Sequence, residues 1–255
     1  MNKVIVFDVW SSFGYFRKFY TTTTALTYPF MPRSAVEGLI AAIVGLDSKD
    51  FPERLASSKI AVGILNKIYK LQISLSYTHS DYWDKLGSYL RHGGVLPSHI
   101  TAPRSVEFLC EPKYRIYFSC EDEGIMQSLA TNLMEKKTIF TPYLGTSSML
   151  ANFLPVSIDA EYQNISVPES KPVPVLSVLP FKDKMPKVFV LKGNRYAIEQ
   201  SIPIHITADR EPTGFYSAIY NPDGKEILAS GTVLQKVTIN NSEIYVSFLP
   251  TSSET

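Results

Sequence analysis

The chain has 255 residues, 45% of them hydrophobic, enough to bury one sizeable core or two small ones. Its 25 Lys and Arg against 24 Asp and Glu leave a formal net charge of +1, so any phosphate-binding role must rest on where charge sits rather than on its sum. No apolar run approaches the roughly 20 residues needed to span a bilayer, and the amino terminus does not read as a signal peptide, so a cytoplasmic chain with no membrane partner is expected.

The first element is a short apolar strand, Val4 to Phe7. It leads into a long loop, Phe13 to Arg33, rich in aromatic residues and threonines, and no acid occurs from Val9 to Val36. A loop of that length inside a compact unit is usually functional. Cations, hydroxyls and rings without a carboxylate suit a phosphate chain with bases to stack, which is the first pointer to RNA. A helix follows. Ser34 and Glu37 fit an S-x-x-E capping box. Val36, Leu39, Ile40, Ile43 and Val44 fall on one face, while Gly38, Ala41, Ala42 and Gly45 line the other and let a second surface approach.

Phe51 to Ser58 reads as a polar connection. Ile60, Val62 and Ile64, then Leu71, Ile73, Leu75 and Tyr77, alternate at period two and predict strands. The pattern breaks from Ser80 to Pro103 and resumes as strands at 104–110 and 113–120. Asp122 to Lys136 is a predicted helix with Ile125, Met126, Leu129, Leu133 and Met134 on one face, and Lys136 and Lys137 at the end where cations suit the dipole. A further strand is expected within Asn152 to Tyr162. The order is βαββαβ with a hairpin extension, so the fold class is α+β with an RRM-like, ferredoxin-like core.

Residues 167–186 form a proline-rich stretch, read as a linker that ends a first unit at 1–166. Beyond it, short β segments at 187–192, 196–200, 203–207, 215–220, 232–239 and 243–248 predict a small all-β unit over 187–255. Cys110 and Cys120 lie in strand-like runs without metal-ligand spacing, which points to buried, reduced thiols. No metal or other cofactor is expected.

Three windows lack any acid: Val9 to Val36, Lys85 to Val106 and Lys136 to Ile158. They hold Arg17, Lys18, Arg33, Arg91 and Arg104 among others, as a near-neutral protein with one basic groove would show; long polar loops can also lack acids by chance. In the first window Arg17, Lys18 and Arg33 can neutralise phosphates, Tyr20 and Tyr28 can stack bases, and Thr21, Thr22, Thr23 and Ser34 can bond phosphate oxygens or a 2′-OH. Alternatively the aromatics pack under the loop and the threonines form an edge strand. Trp83, Arg91 and His92 lie in the 80–103 insertion, where Gly93 and Gly94 permit a tight turn in either a projecting hairpin or an ordinary loop. Gly145, followed by Thr146, is either a plain turn or a place where backbone approaches phosphate.

The run FDVWSSFGYFRKFYTTTTALTYPFMPRSAVEGLIAAIVGLD resembles the amino-terminal signature of the fifth family of CRISPR-associated proteins, of the RAMP superfamily. It is most like the subtype I-B branch, in which an FRKFYTTT-type segment precedes a Y-P-x-x-P-R-[ST]-A-x-x-G-L-I-x-A-I-x-G-L helix. A second segment, TPYLGTS at 141–147, is similar to a glycine-containing segment of that family. The resemblance implies a Cascade surveillance-complex subunit with an RRM-like core that caps the 5′ handle of the crRNA. It also implies a thumb-like insertion, with Trp83 or Leu96 as a wedge into the RNA backbone, and contacts to the large and backbone subunits. Target DNA beside the PAM is a further expected partner; no small-molecule substrate is.

Metal-free RNA cleavage needs an acid and a base, and histidine serves as both. His79, His92, His99 and His205 are present. The family's I-C branch cuts its precursor RNA with a tyrosine–lysine–histidine set; here the nearest pair is Arg91-His92, which departs from it. In the I-B branch a separate endonuclease cuts, so a non-catalytic subunit is expected. A metal-independent endoribonuclease and a pure protein-interaction module are the alternatives.

Overall fold

The computed structural model describes residues 2–21, 24–78, 87, 89–91, 93, 101–207 and 209–251. The amino-terminal part runs β1 (Asn2–Trp10), the short β2 (Phe13–Gly14), α1 (Arg33–Val44), the one-turn α2 (Phe51–Arg54), β3 (Lys59–Ile64), β4 (Tyr69–Thr78), β5 (Thr101–Cys110), β6 (Lys113–Ser119), α3 (Glu123–Glu135) and β7 (Asn152–Val167). Four of these strands lie side by side in the order β7, β1, β6, β3, every pair antiparallel. Numbered by their place in βαββαβ, that is 4-1-3-2, the ferredoxin-like arrangement expected. β4 and β5 form a separate hairpin inserted between its second and third strands.

Both faces of β1 are buried, which is why it reads as an unbroken apolar run rather than an alternating one. Ile5, Phe7 and Val9 pack with Val36, Leu39, Ile40 and Ile43 of α1 and with Ile125, Leu129 and Leu133 of α3. Val4 and Val6 face the other way, against Tyr117, Tyr162, Val237 and Val246. Fully burying one such side chain stabilises by about 1.5–3 kcal/mol. The expected α3 face is narrower than predicted, because Ile125, Leu129 and Leu133 form one i, i+4, i+8 row while Met134 stays 58% exposed.

The capping box does not form. α1 begins at Arg33 with Pro32 at the N-cap and no side-chain cap. Glu37 turns instead toward the buried Arg33, Nε and Oε1 2.8 Å apart, because a guanidinium taken out of water needs a counter-charge more than the first turn needs a cap. At the other end Gly45 has φ +84 and Ile139 fills the space a Cβ would take. The small-residue side of α1 is therefore where the chain after α3 packs, with Phe140 N donating to Ala42 O at 2.9 Å.

The carboxyl-terminal part contributes β8 (Val173–Val175), β9 (Leu179–Phe181), β10 (Lys187–Phe189), β11 (Ala197–Ile206), β12 (Pro212–Tyr220), β13 (Ile227–Ser230), β14 (Thr232–Ile239) and β15 (Ser242–Val246). Its strands do not stand apart. β14 pairs with the far half of β7, and β15, β8, β13 and β10 continue from it, so one nine-stranded sheet runs through both parts. The expected linker at 167–186 carries β8 and β9, each three residues long with a central proline, too short for a hydrophobic period to show. β9, β11 and β12 form a second, three-stranded sheet. Among the described residues no helix is long and apolar enough to cross a membrane.

Candidate nucleic-acid interface

The acid-free loop is laid along β5, on the edge away from β4. Phe13 and Gly14 pair with Cys110 and Leu109, Ala25 bridges Val106, and Arg17 bridges Thr27. Thr27 is buried, its Oγ1 accepting from Phe16 N at 2.9 Å and donating to Tyr28 O at 3.1 Å. Phe16, Tyr28, Phe30 and Met31 sink into the core, so these rings lie under the loop, whereas Phe13, Phe19 and Tyr20 stay exposed.

Tyr15 is where three segments meet. Its ring lies 5.5 Å from that of Phe108 on β5, and its N–H donates to Leu144 O at 3.0 Å. At Gly145, with φ +98, an added Cβ would fall 1.7 Å from Tyr15 O, so only glycine meets both demands. Gly145 thus brings its turn against the loop, with Thr146 Oγ1 and Ser148 Oγ 3.2 Å apart beside it. Burial raises the Tyr15 phenol pKa, Arg17 pulls it down and Tyr77 pushes it up; all three groups share one neighbourhood.

Cross-strand register extends that neighbourhood. Leu71, Ile73 and Leu75 stand opposite Phe108, Val106 and Arg104 and, with Tyr77, share one face of the hairpin. Neither strand puts a carboxylate there, because Glu107 belongs to the opposite face, where Lys70 meets it at 2.8 Å. Tyr77 is 47% exposed, and Arg17 and Arg104 are exposed. Arg17 Nη2 donates to Thr21 O at 3.3 Å, which braces the guanidinium without neutralising it. Rings interleaved with exposed guanidiniums, on a face where the described residues place no carboxylate, can stack bases and hold phosphates.

Other expected contacts are placed differently. Lys18 forms an ion pair with Glu199 and lies over the Tyr28 ring at 5.5 Å. Tyr28 is buried, its hydroxyl donating to Ser201 O at 2.7 Å, so it stacks no base. Arg33 is fully buried, and Nη2 reaches Leu55 O, Ala56 O and Ser58 O at 3.0, 2.9 and 2.7 Å; it tethers the turn before β3 rather than a phosphate. Ser34 is half-buried behind it, and Thr21 Oγ1 is turned onto Lys18 O at 2.8 Å. Arg91 is exposed, with Nε donating to Gly87 O at 3.0 Å. Thr22, Thr23, Trp83 and His92, with Leu96, His79 and His99, lie outside the described residues.

Sequence reasoning missed Tyr15, Tyr77 and Phe108, although the period-two pattern of β4 carried the signal for Tyr77. Glu199, which neutralises Lys18, had no sequence signal at all. Burial, together with the Arg33 cation, lowers the His205 pKa, and its Nδ1 is buried with no partner among the described residues. Among the described residues no three His, Cys, Asp or Glu side chains gather as a metal would need.

Residues 4–221 match the family model described as CRISPR-associated protein (Cas_Cas5). Among solved structures, a chain of a CRISPR RNA-guided surveillance complex aligns with TM-score 0.55 at 14% identity, over 88% of this chain and 91% of that one. A CRISPR protein from Archaeoglobus fulgidus aligns with TM-score 0.52 at 12% identity, over 95% and 98%. Likeness at such identity speaks for the fold alone. Curated proteins give no sequence match.

Proposed function

The chain belongs to the Cas5 family of CRISPR-associated proteins, and from that premise we propose that it is a non-catalytic subunit of a CRISPR effector complex, of the subtype I-B kind, that caps the 5′ handle of the crRNA. One observation carries this: Tyr15, near Arg17 and Tyr77 and pressed against the Gly145–Thr146 turn, packs on Phe108, which shares one hairpin face with Tyr77 and Arg104 where neither described strand places a carboxylate. The fold shared with a chain of a CRISPR RNA-guided surveillance complex fits the same role.

Mechanistically the subunit is a scaffold. Arg17 and Arg104 hold phosphates and the tyrosine rings stack handle bases. The handle's fixed shape then sets where the large subunit meets target DNA beside the PAM, while other faces dock the large and backbone subunits. Near-neutral net charge confines attraction to that face.

Reversing Arg17 and Arg104 to Glu tests this in the assembled complex. Handle-RNA affinity should fall at least about tenfold, and the slope of log K against log salt should flatten by about 1.4, two single-strand phosphate contacts' worth. Unchanged affinity and slope would overturn the assignment. Incubating the subunit with repeat RNA in EDTA should yield no product; a product lost in His92→Ala would establish the endoribonuclease instead.

A further inference from the structure

Lys18 is the most conspicuous cation of the FRKFY segment, yet its ammonium group is committed inside the protein. Glu199 of β11 neutralises it, and both side chains are about nine-tenths buried, 12% and 10% exposed. Two further contacts tie the loop to β11 and its neighbour β12. Tyr28 Oη donates to Ser201 O at 2.7 Å, and the Phe19 ring stacks on Phe215 of β12 at 5.0 Å.

The strand is shaped for this. Between Glu199 and Ile202 the register of β11 against β12 slips, and Ser201 adopts φ +54. A bulge of this kind re-aims side chains and leaves a carbonyl outside the ladder; a non-glycine residue in the left-handed region persists only where its surroundings over-determine it. Here the freed carbonyl is the one that accepts from Tyr28, two residues from the carboxylate that meets Lys18. Loop and bulge lie 181 positions apart in sequence.

We propose that Glu199 is a positioning residue: with Lys18 as its partner, it pins the inner side of the 13–33 loop to the β11 bulge and so presents Arg17 and Tyr20 outward. Lys18 itself touches no phosphate. This rests on the assignment of the Arg17 face to RNA.

The two roles for Lys18 make opposite predictions for Glu199→Gln, which raises net positive charge. If Lys18 served phosphate, removing a competing carboxylate would tighten handle binding. If Glu199 positions the loop, binding weakens, by about tenfold, because the lysine is left buried and unpaired and pulls the loop out of place. The salt slope falls by about 0.7 as the Arg17 contact is lost; a merely destabilised subunit would lose active fraction and keep its slope. Lys18→Met combined with Glu199→Gln removes both charges while keeping the packing, and should bind within about threefold of the parent. All variants are measured in the assembled complex, below each one's unfolding midpoint.

Tighter or unchanged binding by Glu199→Gln, or a double variant as weak as Lys18→Met alone, would overturn the positioning role. Failure of the Arg17 and Arg104 reversal to change binding would instead sink the RNA face itself, so the two failures are told apart.

Discussion

Arg33 shows how burial reverses a residue's apparent purpose. As a letter in an acid-free window it suggested phosphate; in the fold it is a fully buried cation whose donors go to Leu55, Ala56 and Ser58 and whose counter-charge is Glu37. Burial outweighs the attraction of Arg33 and pushes the Glu37 carboxyl up to about 7. Between the ordinary carboxylate range and that value, the folded chain keeps a proton the unfolded chain has lost. Its contribution is therefore full at acid pH and is lost as pH rises through the folded value. Urea midpoints should fall as pH is raised from about 5 to about 7.5, and Glu37→Gln should flatten that decline; an unaltered profile would show that Glu37 is not the group responsible. Gly145 gives a second prediction at this scale. Gly145→Ala combines positive φ with a Cβ placed 1.7 Å from Tyr15 O. It should cost at least about 1–3 kcal/mol, read from urea unfolding, and should weaken handle binding beyond that loss because the loop is displaced.

Among elements, the β4–β5 hairpin departs most from the alternating pattern of a half-buried sheet. Its apolar positions do not all find a core: Tyr69, Leu71 and Tyr77 remain exposed on one face. Unburied rings beside guanidiniums are what the proposed RNA contact would use. Tyr77→Ala should therefore leave the urea midpoint nearly unchanged while lowering handle affinity by about 1–3 kcal/mol, the worth of one stacked base. A loss of stability without a loss of affinity would make Tyr77 a packing residue.

At the scale of the molecule, β7 is the element that joins the parts. Its first half pairs with β1 and its last residues, Glu161 to Val167, pair with β14. Leu249 N also donates to Ile60 O at 2.7 Å, closing the far edge of the sheet with the end of the described chain. Val4 and Val6 share a core with Val237 and Val246. Unfolding should consequently be a single transition, with far-UV circular dichroism and tryptophan fluorescence superimposing. Deleting residues 232–251 should prevent stable folding rather than release an independent first unit. Two resolved transitions would separate the parts.

What the sequence determined alone is what short-range physics governs. An unbroken apolar run placed β1, and hydrophobic period placed α1, β3, β6 and α3, and with them the ferredoxin-like order, because each element's apolar pattern reflects the faces it buries. Acid-free runs pointed to the loop and to the Gly145 turn, which the fold brings together at Tyr15. Only the tertiary structure decided which cations within those runs stay free. Arg17 and Arg104 are exposed, while Lys18 and Arg33 are paired with Glu199 and Glu37. Whether a charge meets solvent or a carboxylate depends on partners brought close by long-range strand pairing, and residue spacing along the chain carries no record of that.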